Sequence, residues 1–133
     1  MRNNREYEVC KAIAQYMRLQ YPKVLFHWDL AGLNLSRAQA GMMKSIQGGR
    51  GWPDFFIPKV KRYSSEHISI IDYNGCFIEV KAETPFKKDG TIKSDKHLQE
   101  QDETLKYLRS EGYLAVFGIG FDHCKKIIDE YLN

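Results

Sequence analysis

Hydrophobic side chains near the start of the chain recur at the spacing of one helix face. The pattern predicts a helix over residues 3–20, which Tyr21-Pro22 ends. Its apolar face carries four side chains: Val9, Ile13, Tyr16 and Met17. Residues 24–30 are apolar enough for a short strand. A second helix is predicted from Ser36, an N-cap residue type, to about Gln47, because Gly48-Gly49 follows.

The middle of the chain reads as strands. Residues 54–60 and 67–73 are β-rich, a polar connection over 61–66 joins them, and Asn74-Gly75 is a tight-turn signal before a third strand over 76–82. These strands are expected to pair as a meander. A polar loop over 83–95 follows.

The last third alternates helix and strand. A helix is predicted over about 96–111, then a strand over 113–119 continuous enough to be buried on both faces, then a helix over about 122–132. The order favours an α/β fold with a mixed central sheet of about four strands and helices on both faces. With 133 residues there is room for one domain, so residues 1–133 are taken as a single unit.

Composition narrows the class of protein further. Hydrophobic residues make up 43% and charged residues 28%, close to an ordinary globular protein. No apolar run approaches the roughly 20 residues of a membrane span, and no secretory signal is visible at the start. We therefore expect no membrane partner and a cytoplasmic protein, in a bacterium or a phage-infected host.

Several residue types that often carry chemistry are expected to be structural. Three widely spaced cysteines predict reduced thiols rather than disulfides or a metal site: Cys10, Cys76 and Cys124. Four histidines lack the spacing of metal ligands: His27, His67, His97 and His123. Trp28 and Trp52 are expected to pack in the fold rather than to stack on bases.

Positive charge is concentrated in one segment. Residues 35–63 contain six cations and one anion, a net +5, whereas the whole chain carries +3. Such a segment suggests a polyanion partner, most commonly nucleic acid, although a solvated surface is the alternative. Arg37 and Lys44, seven apart on the second predicted helix, would form a phosphate-binding ridge, with Gly41 between them and Arg50 nearby.

Two charged residues occupy one side of the third predicted strand. Alternation places Glu79 and Lys81 beside Phe77. The other side carries an apolar set: Cys76, Ile78, Val80 and Ala82. The pair is either a solvent-facing charge pair or part of a site.

Three further polar residues stand out. Gln101 lies on the apolar stripe of the helix over 96–111, and the alternative to a site role is a bond to the backbone. Glu6 ends the apolar stripe of the first helix; a first-turn Glu is also favoured by the helix dipole, and Glu8 is the fallback. Asp54 follows Pro53 either as a turn residue or, if the strands form a meander, as a carboxylate facing Glu79.

Motifs in this order resemble a known family. They are Glu6-x-x-Val9, Gly51-Trp52-Pro53-Asp54, Phe77-Ile78-Glu79-Val80-Lys81, and Gln101 eleven residues before Gly112-Tyr113. The chain is similar, over nearly its whole length, to the virus-type replication-repair nuclease (VRR-NUC) domain of the PD-(D/E)xK superfamily. It departs from the family in having Cys10 where many members carry Gln, and in its long loop over 83–95.

The resemblance implies a restriction-endonuclease-like core and hydrolysis of DNA phosphodiester bonds. It implies a Mg²⁺ ion, with Mn²⁺ as a substitute, held by Asp54, Glu79 and the backbone carbonyl of Val80. Lys81 would orient the attacking water or stabilise the transition state, and Gln101 and Glu6 would orient a water or bind a second metal.

Standalone members of the family resemble Holliday-junction resolvases, which act as homodimers on branched DNA. The leading hypothesis is therefore a metal-dependent DNA endonuclease selective for branched DNA. The alternative is a non-catalytic DNA-binding module that keeps the fold. A sequence-reading restriction nuclease is disfavoured, because the chain has no room for a recognition domain.

Overall fold

The computed structural model describes residues 4–30 and 33–133. Its elements follow in the order α1 (Asn4–Gln20), β1 (His27–Trp28), α2 (Arg37–Ile46), β2 (Phe55–Ile57), β3 (Lys61–Ser64), β4 (Ser69–Tyr73), β5 (Cys76–Lys81), α3 (Lys96–Ser110), β6 (Leu114–Ile119) and α4 (Gly120–Leu132). Within the described ranges, none of the helices combines the length and the apolar character that a membrane crossing requires.

Four strands form the central sheet in the order β1-β2-β5-β6. The pairs β1-β2 and β2-β5 are antiparallel, whereas β5 and β6 run parallel. The parallel pair requires a crossover, and α3 supplies it. The predicted fold class, a mixed sheet of about four strands with helices on both faces, is confirmed.

The alternation of β5 separates the two halves of the core. Cys76, Ile78 and Val80 belong to the larger core, to which α1 and α4 contribute. Phe77 belongs to a smaller core with Phe117 and the side chains that α3 supplies. The period of two in the sequence predicted this division, and the structure confirms it.

The buried face of α1 differs slightly from the prediction. Cys10, Ile13 and Met17 are buried, whereas Val9 and Tyr16 are only half-buried at its edges. The helix is therefore rotated so that Cys10 lies against the core. All three cysteines are buried and form no disulfide, and burial raises the pKa of the Cys76 and Cys124 thiols to about 12.

The expected meander is wrong. The predicted connection over 61–66 contains β3, which pairs with β4 in a separate two-stranded sheet, so β2 pairs directly with β5. Pro58 follows β2 and has no N–H to continue the ladder, which favours the chain leaving the sheet there. The hairpin β3-β4 exposes more than half of four apolar side chains: Tyr63, Ile68, Ile70 and Ile71.

The strand β6 was expected to be buried on both faces, and one of its faces is only half-buried. It lies at the edge of the sheet, with α3 and α4 packed against it. Ala115 and Phe117 are buried in the smaller core, whereas Leu114 and Val116 are only half-buried against the larger one. The apolar run in the sequence reflects coverage by helices and not a central position in the sheet.

The helix α2 begins as predicted and packs loosely. Ser36 caps it through a capping box, in which the Ser36 side chain accepts from the Gln39 N–H and the Gln39 side chain accepts from the Ser36 N–H. None of its residues is buried. The helix α2 therefore lies at the surface and contributes no buried side chain to the core.

Candidate active site

Two carboxylates face each other where β2 begins and β5 nears its end. The register pairs Phe55 with Ile78, and one step further along the antiparallel pair sets Asp54 opposite Glu79. Opposite residues in such a pair project to the same side of the sheet. Asp54 is 9% exposed and Glu79 is 3% exposed. The backbone N–H of Val80 donates to Asp54 Oδ2 at 2.8 Å, which fixes the aspartate against β5.

Glu79 also has a neutral and a cationic neighbour. Gln101 Nε2 on α3 donates to Glu79 Oε1 at 2.8 Å. Lys81 Nζ lies 3.7 Å from the same oxygen, and only 13% of the Lys81 side chain is exposed. A buried carboxylate is costly unless hydrogen bonds or opposite charge compensate it, and here both are present. The structure thus brings Asp54, Glu79, Lys81 and Gln101 into one cluster.

A histidine that was expected to be structural also contacts this cluster. His97 Nε2 lies 3.3 Å from Gln101 Nε2, one helical turn earlier on α3. An amide nitrogen carries two hydrogens, so Gln101 Nε2 has one hydrogen for Glu79 Oε1 and a second for a lone pair on His97 Nε2. Gln101 Oε1 is buried and has no hydrogen-bond partner among the described residues. The only sequence signal for His97 was its i, i+4 spacing to Gln101.

The two candidate glutamates of α1 differ in burial. Glu6 is half-buried on the stripe that continues through Cys10 and Ile13, whereas Glu8 is exposed. The start of α1 lies beside the residues that follow β5, because Arg5 Nη1 pairs with Glu83 Oε1 at 2.7 Å. The stripe therefore favours Glu6 over Glu8 as the glutamate directed toward the sheet.

Two of the three predicted DNA-binding cations share one cavity. Lys44 of α2 and Arg50 of the glycine-rich loop line a cavity of about 330 Å³, together with His97 and Trp52. Arg37 lies at the other end of α2 and is not part of that lining. Arg50 is also paired with Glu100 of α3, at 3.7 Å between Nη1 and Oε1.

The cluster offers oxygen ligands to a divalent cation. Within residues 4–30 and 33–133, no three His, Cys, Asp or Glu side chains are grouped to hold a metal ion. Two opposed carboxylates, Asp54 and Glu79, are present, however, and both offer oxygen atoms of the hard type. Mg²⁺ keeps several waters and commonly takes only one or two carboxylates from a protein, so these residues fit such an ion.

A comparison with solved structures identifies the architecture. A solved VRR_NUC domain protein matches with a TM-score of 0.65 and 21% sequence identity, over 99% of this chain and 91% of that chain. The chain has the fold of a VRR-NUC domain. No protein-family model and no curated protein matches the sequence. The resemblance drawn from the motifs is thereby confirmed at the level of the fold.

The VRR-NUC fold explains why residues far apart in sequence converge. The sheet brings Asp54 at the start of β2 beside Glu79 on β5, and the crossover helix α3 returns Gln101 to the same edge. Glu79, Lys81 and Gln101 lie on regular elements, and Asp54 directly precedes β2 and is fixed by its hydrogen bond from Val80 N–H. Such placement keeps their mutual geometry rigid.

Proposed function

We propose that this chain is a metal-dependent nuclease that hydrolyses DNA phosphodiester bonds. The observation that carries the proposal is the buried cluster of Asp54, Glu79, Lys81 and Gln101 on a VRR-NUC fold. Buried ionisable groups of opposite sign in one cluster are costly for stability and are typical of functional sites.

Asp54, Glu79 and the backbone carbonyl of Val80 are the groups that would hold a Mg²⁺ ion, with Mn²⁺ as a substitute. When bound, the ion lowers the pKa of a coordinated water and neutralises charge on a phosphate. The protein's own contribution is to fix these oxygens. The hydrogen bond from Val80 N–H to Asp54 and the bond from Gln101 to Glu79 restrict how either carboxylate rotates.

Lys81 places a positive charge beside Glu79 at 3.7 Å. A lysine in this position attracts the scissile phosphate and stabilises the negative charge that develops during hydrolysis. Gln101 and Glu6 are proposed to orient the attacking water. The buried oxygen of Gln101 accepts a hydrogen bond from that water without losing its own bond to Glu79.

DNA is proposed to lie across α2 and the glycine-rich loop. Lys44 and Arg50 line the cavity next to the cluster, and Arg37 extends the positive surface along α2. Such cations would bind phosphates, which positions the DNA and carries no sequence information. Their contribution to affinity falls as salt rises.

Branched DNA, such as a four-way junction, is the proposed substrate, and a homodimer is the proposed active form. A two-fold symmetric junction is matched by a two-fold symmetric enzyme. On one face of the hairpin β3-β4, Tyr63 and Ile70 lie opposite each other and both are exposed. Adjoining exposed apolar side chains of this kind support self-association.

The test compares wild type, Asp54→Asn and Lys81→Ala on linear, nicked, flap and four-way DNA. Each protein is assayed with Mg²⁺, with Mn²⁺ and with EDTA, and its oligomeric state is measured by sedimentation. We expect cleavage only with metal, a loss of about 100-fold or more in both variants, and preference for branched DNA. Lys106→Ala is the matched control, because the Lys106 side chain is 57% exposed and forms ion pairs with Asp102 and Glu103 of its own helix.

Cleavage that survives EDTA, or full activity in Lys81→Ala, contradicts the proposed mechanism. DNA binding without cleavage under every metal condition supports a non-catalytic binding module instead. Equal cleavage of linear and branched DNA agrees with the proposed nuclease activity and contradicts the proposed preference for branched DNA.

A further inference from the structure

The cavity lined by Lys44 and Arg50 opens directly beside the candidate active site, and we call it the side cavity. Its apolar wall includes Met43 and Trp52, and its polar groups include His97 and Glu100. His97 belongs to both places, because its ring also contacts Gln101 of the cluster. A ligand in the side cavity that contacts His97 is therefore separated from Gln101, the hydrogen-bond partner of Glu79, by the His97 side chain alone.

One wall of the side cavity is rigidly attached to the active-site helix. Gly51 has a φ of +71°, and a Cβ atom there would lie 2.7 Å from the carbonyl oxygen of Glu100. Thr104 Oγ1 donates to the Arg50 carbonyl oxygen, and Trp52 Nε1 donates to the Gly48 carbonyl oxygen at 3.1 Å. The indole of Trp52 is thus held in place while 38% of the residue stays exposed.

The opposite wall is α2, which buries none of its residues. Ala40, Met43, Lys44 and Gln47 line the side cavity, and their spacing places them on one helix face. The inner face of α2 therefore stands over space that no side chain of the described chain fills. A flat ligand of mixed polarity would complete the packing between this face and Trp52.

We propose that the side cavity receives a single unpaired nucleobase from the DNA strand that is cut, stacked on Trp52. This inference rests on the proposed nuclease function and names how its substrate is chosen. An indole accepts any base by its π-face, His97 and Glu100 supply hydrogen-bonding groups for the base edge, and Lys44 and Arg50 neutralise the flanking phosphates. From its sequence context Trp52 was expected only to pack; here it also forms a stacking surface.

The proposal explains how a site without a recognition domain distinguishes branched from linear DNA. Extruding a base from a paired duplex costs free energy, and this cost is smallest where the base is already unpaired. Junctions, flaps and gaps present such bases next to a phosphodiester bond. Filling the side cavity would then favour these substrates without reading any sequence.

The test uses DNA in which 2-aminopurine replaces one base at a time around a flap or four-way junction. Binding is measured in the Asp54→Asn background with EDTA, so that the DNA stays intact. We expect strong quenching of 2-aminopurine fluorescence at one position near the scissile bond. The quenching should be lost in Trp52→Leu and partly kept in Trp52→Phe, since phenylalanine still offers a ring to stack on.

Cleavage is then compared in the otherwise wild-type protein. Trp52→Leu should lower the ratio of flap to linear-duplex cleavage about tenfold, which corresponds to one unpaired base that is no longer captured. Ala40→Phe is a second variant that fills the side cavity from α2, where no side chain is buried, and leaves Trp52 intact. It should lower the same ratio. Tyr107→Leu, an exposed aromatic on α3, is the control and should change neither readout.

The failure of this inference differs from the failure of the proposed function. If DNA is bound and cut with metal but no position shows Trp52-dependent quenching, the nucleobase assignment is wrong and the nuclease stands. If no DNA is bound or cut, both are wrong. A titration with a free deoxynucleoside monophosphate distinguishes a free nucleotide from a base of the DNA strand as the ligand of the side cavity. If the free nucleotide quenches Trp52 fluorescence but 2-aminopurine in DNA is not quenched, the proposal that the ligand comes from the substrate strand is wrong.

Discussion

At the scale of single residues, the hydrogen bond from Gln101 fixes the orientation of the Glu79 carboxylate. Its amide nitrogen donates to Glu79 Oε1 at 2.8 Å and lies 3.3 Å from His97 Nε2, which leaves its oxygen buried without a partner among the residues that are described. His97 therefore fixes which end of the amide faces the carboxylate. It is a positioning residue, because it acts on Glu79 only through Gln101.

His97→Ala should lower cleavage about 10- to 100-fold, the usual effect of removing a group that orients a metal ligand. The amide of Gln101 would lose one of its two acceptors and rotate more freely. The measurement is the initial rate against Mg²⁺ concentration, where the loss should be largest at low metal. His97→Gln should recover part of the rate, since its amide oxygen can accept the same hydrogen bond.

His67→Ala is the control for this prediction, because the His67 side chain is 89% exposed beside Glu66. Rates for His97→Ala that match wild type at every metal concentration would show that the contact with Gln101 has no role. The sequence alone could not identify His97, because its i, i+4 spacing to Gln101 is a signal that any pair of residues on one helix face shares. Glu79 and Lys81 are different, because strand alternation by itself places them on one side of β5.

At the scale of elements, the glycine-rich loop and α3 pack too closely for a side chain between them. Gly51 has a left-handed backbone conformation, and a Cβ atom there would contact the backbone of Glu100 and Gln101. Gly49 also has a positive φ, +106°, but a Cβ atom there would meet nothing within 4 Å. Replacing Gly49 by alanine therefore tests the cost of backbone strain alone, whereas replacing Gly51 adds the cost of close packing.

Gly51→Ala should reduce the free energy of unfolding by about 2–4 kcal/mol, because it adds overpacking against α3 to the cost of a left-handed alanine. Gly49→Ala carries only the backbone cost and should reduce it by about 1–2 kcal/mol. Urea unfolding followed by circular dichroism measures both. Equal losses in the two variants would mean that the loop does not press against α3.

The element scale is also where the prediction of strand pairing was wrong. The β-rich residues 67–73 correctly indicated a strand, but their partner Lys61–Ser64 lies in the segment that was predicted to be a polar connection. Strand pairing depends on burial and packing more than on local β-propensity, so composition alone did not show the hairpin. Helix limits were easier, since Ser36 and Gly48-Gly49 are local signals.

At the scale of the whole molecule, the Asp129 carboxylate connects α4 to the last turn of α1 and to Tyr21, the residue that follows α1. Tyr16 Oη and Tyr21 Oη each donate to Asp129 Oδ1 at 2.6 Å, and Lys125 Nζ lies 2.8 Å from Asp129 Oδ2. Burial alone would raise the pKa of Asp129, but the hydrogen bonds from Lys125, Tyr16 and Tyr21 outweigh burial and lower the pKa to about 2. Folding therefore favours the ionised form.

Asp129→Asn should lower the free energy of unfolding by about 2 kcal/mol at neutral pH, the range for hydrogen bonds to a charged group. Because the pKa is lower in the folded state than the ordinary 3.8, this stabilisation is present above pH 3.8 and is lost as the pH falls toward about 2. Thermal unfolding at successive pH values should show the gap between wild type and variant closing over that window.

Asp89→Asn is the control for the pH experiment. Hydrogen bonds from Thr91 lower the pKa of Asp89 as well, but that carboxylate is exposed on a loop and connects no elements. Its replacement should change stability little at any pH. A gap for Asp129→Asn that stays constant down to pH 2 would exclude ionisation of Asp129 as the source of the stabilisation.

The sequence by itself determined the helices, the two faces of β5 and the order of the motifs, because capping residues and hydrophobic periodicity act over a few neighbouring positions. Only the tertiary structure decided which strand stands beside Glu79, that the hairpin β3-β4 leaves the sheet, and that His97 and a cavity adjoin the cluster. The Asp54–Val80 and Glu79–Gln101 contacts join residues 26 and 22 positions apart, and the other features depend on side-chain direction and packing. Their geometry is set by packing of the whole core, which no local pattern encodes.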